Sequence, residues 1–97
     1  MAQVVWSERA VADLEQIGSY IAKDSVRYAG MVVGKLFSRT EILKTNPYLG
    51  RMVPEFSNAA IRELIEGSYR IVYQVNSAQD AVQIITVHHS KIEFLLV

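Results

Sequence analysis

The chain has 97 residues, with ten Lys and Arg balanced by ten Asp and Glu, half of its residues apolar (51%), and no cysteine. So apolar and weakly charged a chain is not disordered, and without cysteine it has no disulfides, thiolate zinc sites or cysteine nucleophiles. A net charge of zero counts against strong autonomous binding to nucleic acid, which calls for excess Lys and Arg.

The length predicts one domain spanning residues 1–97. No apolar run reaches a membrane span. The start, Met1 to Trp6, lacks the basic region and apolar stretch of a secretory signal. The expectation is a cytoplasmic protein with part of its greasy surface covered by a partner.

Val4-Val5-Trp6 reads as a short strand, at the sheet edge or second in it. Ser7 is placed to cap a helix, with Glu8 in its first turn. Ala10, Leu14, Ile17 and Ile21 follow helical spacing. Asp24-Ser25 breaks the pattern and offers a second cap. From Val26 to about Thr45, the residues Ala29, Val32, Val33, Leu36 and Leu43 again share one side. Gly30 and Gly34 fall in this helix and read as points of close helix packing. Asn46-Pro47 stops it. Two helices joined by so short a break form an antiparallel hairpin.

Tyr48 to Ala59, with Gly50, Pro54, Ser57 and Asn58, reads as loop. Three β segments follow: Ile61 to Glu66, Tyr69 to Val75, and Ala81 to His88. Gly67-Ser68 makes a tight hairpin turn and Asn76 to Asp80 a looser one. The predicted fold class is α+β, an N-terminal helical hairpin packed on a small, mainly antiparallel sheet. The apolar tail, Lys91 to Val97, reads either as a further element folded on the sheet or as a partner-facing segment. Trp6, Tyr20, Tyr28 and Phe37 read as core or groove residues.

A small polar set stands out against these β segments: Gly50-Arg51, Pro54-Glu55, Arg62-Glu63, Tyr69-Arg70 and His88-His89. A carboxylate, a fixed cation and an imidazole converging at a sheet end are the parts of a phosphodiester-cleaving site. They are equally the parts of a structural ion-pair network. Alternation along a strand sends His88 and His89 to opposite faces. Two such imidazoles do not meet on one ion, so no metal and no cofactor is expected.

These residues carry a family likeness. Trp6-Ser7, Ala12-Asp13-Leu14, Ile17 and Tyr20-Ile21 form its front half. Pro47, Gly50-Arg51, Pro54-Glu55, Arg62-Glu63-Leu64, Tyr69 to Tyr73 and Val87-His88-His89 form its back half. Together they resemble the RelE/ParE superfamily, the toxins of type II toxin–antitoxin (plasmid stabilisation) modules. The resemblance covers almost the whole chain. It implies growth arrest by the free toxin and a cognate antitoxin that wraps it, and it leaves a homodimer open. It further implies one of two targets. RelE-like members are metal-independent endoribonucleases (mRNA interferases) that cut mRNA on the ribosome. ParE-like members inhibit DNA gyrase and are not nucleases.

Within the first branch the chain is similar to the YoeB type. Glu55 matches its glutamate, Arg70 its arginine and His88 its histidine. That type then has tyrosine where this chain has His89. The resemblance thus implies Glu55 as base for the 2′-hydroxyl, Arg70 as charge stabiliser and His88 as acid for the 5′-oxygen. Arg51, Arg62, Tyr69 and His89 are the expected substrate-binding residues around them. Each has a plainer reading: Arg70 as an ion pair with Glu55, Glu63 or Glu66, Glu55 as a solvated loop residue, and Arg51 and Arg62 as surface salt bridges.

Overall fold

The structure, a computed structural model, describes residues 1–90. In chain order it has β1 (Gln3–Trp6), α1 (Glu8–Ala22), α2 (Val26–Arg39), a 3-10 turn (Thr40–Lys44), β2 (Arg51–Met52), β3 (Ile61–Glu66), β4 (Tyr69–Asn76), a short 3-10 turn (Ser77–Gln79) and β5 (Ala81–His89). The expectations for Lys91 to Val97 lie outside the described residues.

Both predicted caps form. Ser7 and Ser25 accept hydrogen bonds from the backbone N–H groups of Ala10 and Tyr28, each satisfying a donor the first helical turn leaves open. The second helix is shorter than its periodicity predicts. At Thr40 the hydroxyl donates to the Phe37 carbonyl at 2.8 Å, and the chain tightens into 3-10 geometry. Leu43 stays buried in that turn, so the apolar spacing ran on past the end of the helix.

The two helices pack together and against one face of a five-stranded sheet of order β1-β5-β4-β3-β2. All pairings are antiparallel except β1 with β5, which makes β1 an edge. Ala10, Leu14, Leu36 and Leu43 meet Leu64, Ile71, Tyr73, Val75, Val82, Ile84 and Val87 in one core. That confirms the predicted α+β class.

β1 ends at Trp6 and would leave the far part of β5 an open edge. α1 covers it: Asp13 accepts from the Thr86 hydroxyl and, at 3.0 Å, from the Val87 N–H. Within β5 the ladder slips by one residue. Val72 faces Thr86 but Tyr73 faces Ile84, so Ile85 is a bulge. Before the bulge the core-facing residues are Val82 and Ile84, and after it Val87. One extra residue inverts which side chains face the helices.

Several expectations need correcting. The predicted loop 48–59 contains β2, which pairs with Glu63 and Arg62. Gly30 and Gly34 do not mediate helix packing, because a Cβ at either would meet nothing within 4 Å. Gly18 is the close-packed glycine, facing Val33. Of the aromatics read as core or groove residues, Tyr20 and Tyr28 are outside the core, with Tyr20 lining a shallow surface groove of α1, and half-exposed Phe37 stacks on Trp6 at 5.6 Å. Among the described residues no helix is long and apolar enough to cross a membrane.

Two glycine substitutions separate packing from propensity. At Gly50 a Cβ would collide with the Glu63 carbonyl and sit 2.7 Å from the Tyr73 hydroxyl. Gly50→Ala is expected to cost about 1–3 kcal/mol in urea unfolding, as overpacking does. Gly34→Ala, on an open helix face, is expected to stabilise by roughly 0.5–1 kcal/mol.

Candidate active site

The polar set gathers where β2, β3, β4 and β5 run side by side. In an antiparallel ladder, directly opposed residues share a face. Arg51 opposes Glu63, and Arg70 opposes His88. Arg70 alternates with the core residues Ile71 and Tyr73, so this group sits on the face away from the helices. The bulge at Ile85 is what puts His88, rather than His89, on that face.

At its centre lies Glu63, with a fully buried side chain. Its Oε1 accepts from the Arg70 Nε at 2.7 Å and lies 2.5 Å from its Nη2. Its other oxygen accepts from the Arg51 Nε at 2.5 Å. Burying a carboxylate is tolerable only when it is paired and hydrogen-bonded, and here two guanidiniums share the task. Gly50 and Tyr73 set the geometry from behind. The Gly50 N–H donates to the buried Tyr73 hydroxyl at 2.9 Å, drawing the loop onto β3 beside Glu63. Burial pushes the Tyr73 phenol up, keeping it neutral and able to accept.

Glu55 comes from the loop and approaches the outer edge of Arg70. Its two oxygens accept from Nη1 and Nη2, both at 3.3 Å. These contacts are longer than those to Glu63, and the Glu55 side chain is 25% exposed. Arg70 is therefore anchored on its inner side and loosely capped on its outer side. The hydrogen bonds from Arg70 hold the Glu55 carboxyl below its ordinary value, outweighing partial burial, and the nearby His88 adds to the effect. Burial pulls Arg70 down, but Glu55 and Glu63 together bring it above the usual arginine value. His88 Nδ1 lies 3.2 Å from the His89 carbonyl oxygen.

Of the seven residues singled out from sequence, Glu55, Arg70 and His88 meet, with Arg51 joined to them through Glu63. The other three lie elsewhere. Tyr69 and His89 oppose each other on the helix side, their rings edge to face at 5.6 Å. Among the described residues Arg62 forms no salt bridge: its Nε donates to the Ala59 carbonyl at 2.7 Å, its Nη1 to that of Gly50 at 3.2 Å, and it lies over the Tyr48 ring. It ties down the loop that carries Glu55. Glu66 pairs with Lys35 and Arg39 rather than with Arg70. Among the described residues, no group of three His, Asp or Glu side chains is placed to hold a metal ion.

Residues 4–94 match the family described as the ParE toxin of type II toxin-antitoxin system, parDE. The chain belongs to this family. It is 36% identical to Toxin RelE2 of Caulobacter vibrioides over 91 residues, 93% of this chain and 97% of that protein. Among solved structures it resembles the chromosomal ParDE system of P. aeruginosa (TM-score 0.77, 20% identity, 94% of this chain and 98% of that one). It likewise resembles the intact E. coli RelBE toxin-antitoxin complex (TM-score 0.69, 19% identity, 95% and 100%). In this chain the family's fold is a sheet carrying a helical hairpin on one face and the Glu55–Arg70–His88 group on the other.

The Glu55–Arg70 contact predicts a pH dependence of stability. The folded state lowers the Glu55 pKa, so the contact stabilises fully above the free value of 4.5 and is lost as the pH falls through the lower folded value. In urea unfolding, wild type should exceed Glu55→Gln at neutral pH, with the gap closing as the pH falls below 4.5 and through the lower folded value. A gap unchanged by acid would show that the contact is not ionic.

Proposed function

We propose that this toxin of a type II toxin–antitoxin module arrests growth by cutting mRNA on the ribosome, until its cognate antitoxin binds it. The observation that supports this reading is the meeting of a carboxylate, a guanidinium and an imidazole on the sheet face away from the helices. In the proposed reaction Glu55 takes the proton from the 2′-hydroxyl, and that oxygen attacks the adjacent phosphorus. Arg70 stabilises the charge building on the phosphoryl oxygens. His88 gives its proton to the departing 5′-oxygen, leaving a 2′,3′-cyclic phosphate and a free 5′-hydroxyl. No metal or cofactor takes part.

The two sides of Arg70 suit this work. Glu63 is buried and stays, fixing the guanidinium plane. Glu55 is on a loop and makes the longer contacts, so a phosphate can take its place at the outer edge. Once displaced, Glu55 loses the hydrogen bonds that hold its pKa down and becomes a stronger base at the moment it is needed. Arginine's planar fork matters here, since lysine has no second edge to offer.

A second reading is inhibition of DNA gyrase without nuclease activity. Two observations favour it. The net charge is zero, and the carboxylates Glu55 and Glu63 occupy the Nε, Nη1 and Nη2 of Arg70.

Primer extension on cellular mRNAs after brief induction of the toxin alone separates the two. New 5′ ends within codons are expected, and Glu55→Gln and His88→Asn should each reduce them by about 10²-fold or more. Arg70→Ala is a poor control, because it strands the buried Glu63 charge and threatens the fold. Arg70→Lys keeps the charge and should still cut far less. Intact messages in filamenting cells with a DNA-damage response would instead establish gyrase as the target.

A further inference from the structure

The face that carries Arg70 continues along β4 and β5 to a separate cavity of about 520 Å³, open on one side. Val5, Gln83 and Gln74 stand abreast there on three neighbouring strands, since Val5 opposes Gln83 and Gln83 opposes Gln74. Asn76 and Ala81 close one end, and no charged side chain lines it. Neither glutamine amide is used in a hydrogen bond among the described residues. The rim is held in shape. Asn76 Oδ1 accepts from the Gln79 N–H at 3.3 Å, Asp80 turns the chain with φ at 49°, and the Asp80 carbonyl accepts from the Gln3 N–H at 2.9 Å.

Gln74 and Arg70 lie on the same face of β4 four residues apart, about 13 Å at 3.3 Å per residue. We propose that this cavity is a nucleobase subsite, holding a base of a single-stranded RNA whose scissile phosphate lies at Arg70. The inference rests on the nuclease reading above. An uncharged cavity offers a phosphate no countercharge, whereas paired amides supply both donors and acceptors for a base edge. A glutamine amide matches the N6 and N7 of adenine in a bidentate pair. Single-stranded RNA is read in this way, by splayed bases entering pockets. The volume falls in the usual range for small-molecule sites. Val5 and Ala81 provide apolar contact beside the amides.

The test is NMR titration of the full chain with short 2′-O-methyl oligoribonucleotides, which bind but cannot be cut at the modified position. Gln74 and Gln83 are exposed, so Gln74→Ala/Gln83→Ala leaves the core intact. An adenine-containing oligonucleotide should shift the side-chain amide signals of both glutamines. The double variant should bind it about tenfold more weakly and lose discrimination between adenine and uracil. Arg70→Lys should weaken all sequences alike. Amide signals unmoved by any oligonucleotide, or undiminished discrimination in the double variant, would overturn the subsite. Amides that respond to an acidic antitoxin peptide and not to RNA would overturn it in favour of a protein contact. Amide shifts that persist while cellular mRNA stays uncut would refute the nuclease and leave the base site standing.

Discussion

A buried carboxylate shared by two arginines organises the sheet face away from the helices. Glu63 sits on a central stretch of β3 with no solvent access, and only Arg51 and Arg70 make that position tenable. The first arginine lies on β2 and the second on β4, so one side chain links three strands. The chain from Arg51 through Glu63 and Arg70 to Glu55 alternates in sign. It leaves the group electrically balanced and sets Arg70 in one orientation. An ion pair of this kind adds little to stability compared with apolar residues of the same shape. Its contribution is a defined position for a guanidinium on an otherwise featureless sheet.

The sheet divides its two faces between folding and chemistry. The helix side is continuous with the core, and Tyr73 reaches through it to hold Gly50 and the loop. The other side receives that loop, which brings Glu55 in from outside the sheet. Arg62, on the helix side of β3, fastens the same loop through two backbone carbonyls. The base proposed for the reaction is thus carried by the most adjustable part of the site, and the cation by its most rigid part. That arrangement lets a substrate phosphate replace Glu55 without disturbing Glu63.

Much of this was legible in the sequence. Two serine caps, two apolar stripes and three alternating segments define the hairpin and the sheet because each depends on local spacing. Arg70 and His88 were visible as polar residues at strand ends, and the family resemblance joined Glu55, from the loop, to them. Glu63 was seen only as one candidate partner for Arg70, since alternation alone does not tell a buried acid from an exposed one. The signal was present, in an Arg-Glu pair within an apolar strand that precedes an arginine on the next strand. The face of His88 could not be read, because the bulge at Ile85 depends on register with β4 rather than on local pattern. Gly30 and Gly34 misled in the opposite sense, as helix glycines that meet no neighbour. β2 has two residues and forms through its pairing with β3, so no periodicity could announce it.

A double-mutant cycle on Glu63 and Arg70, followed by urea unfolding, measures whether Arg70 holds Glu63 in place. If Glu63 is held by Arg70, Glu63→Met and Arg70→Met should each cost about 3–5 kcal/mol, because each takes the principal partner from a buried charge. The double variant should then cost less than the sum of the two, by a coupling of about 2–3 kcal/mol. Small, additive effects would contradict the account and show that Glu63 does not depend on Arg70.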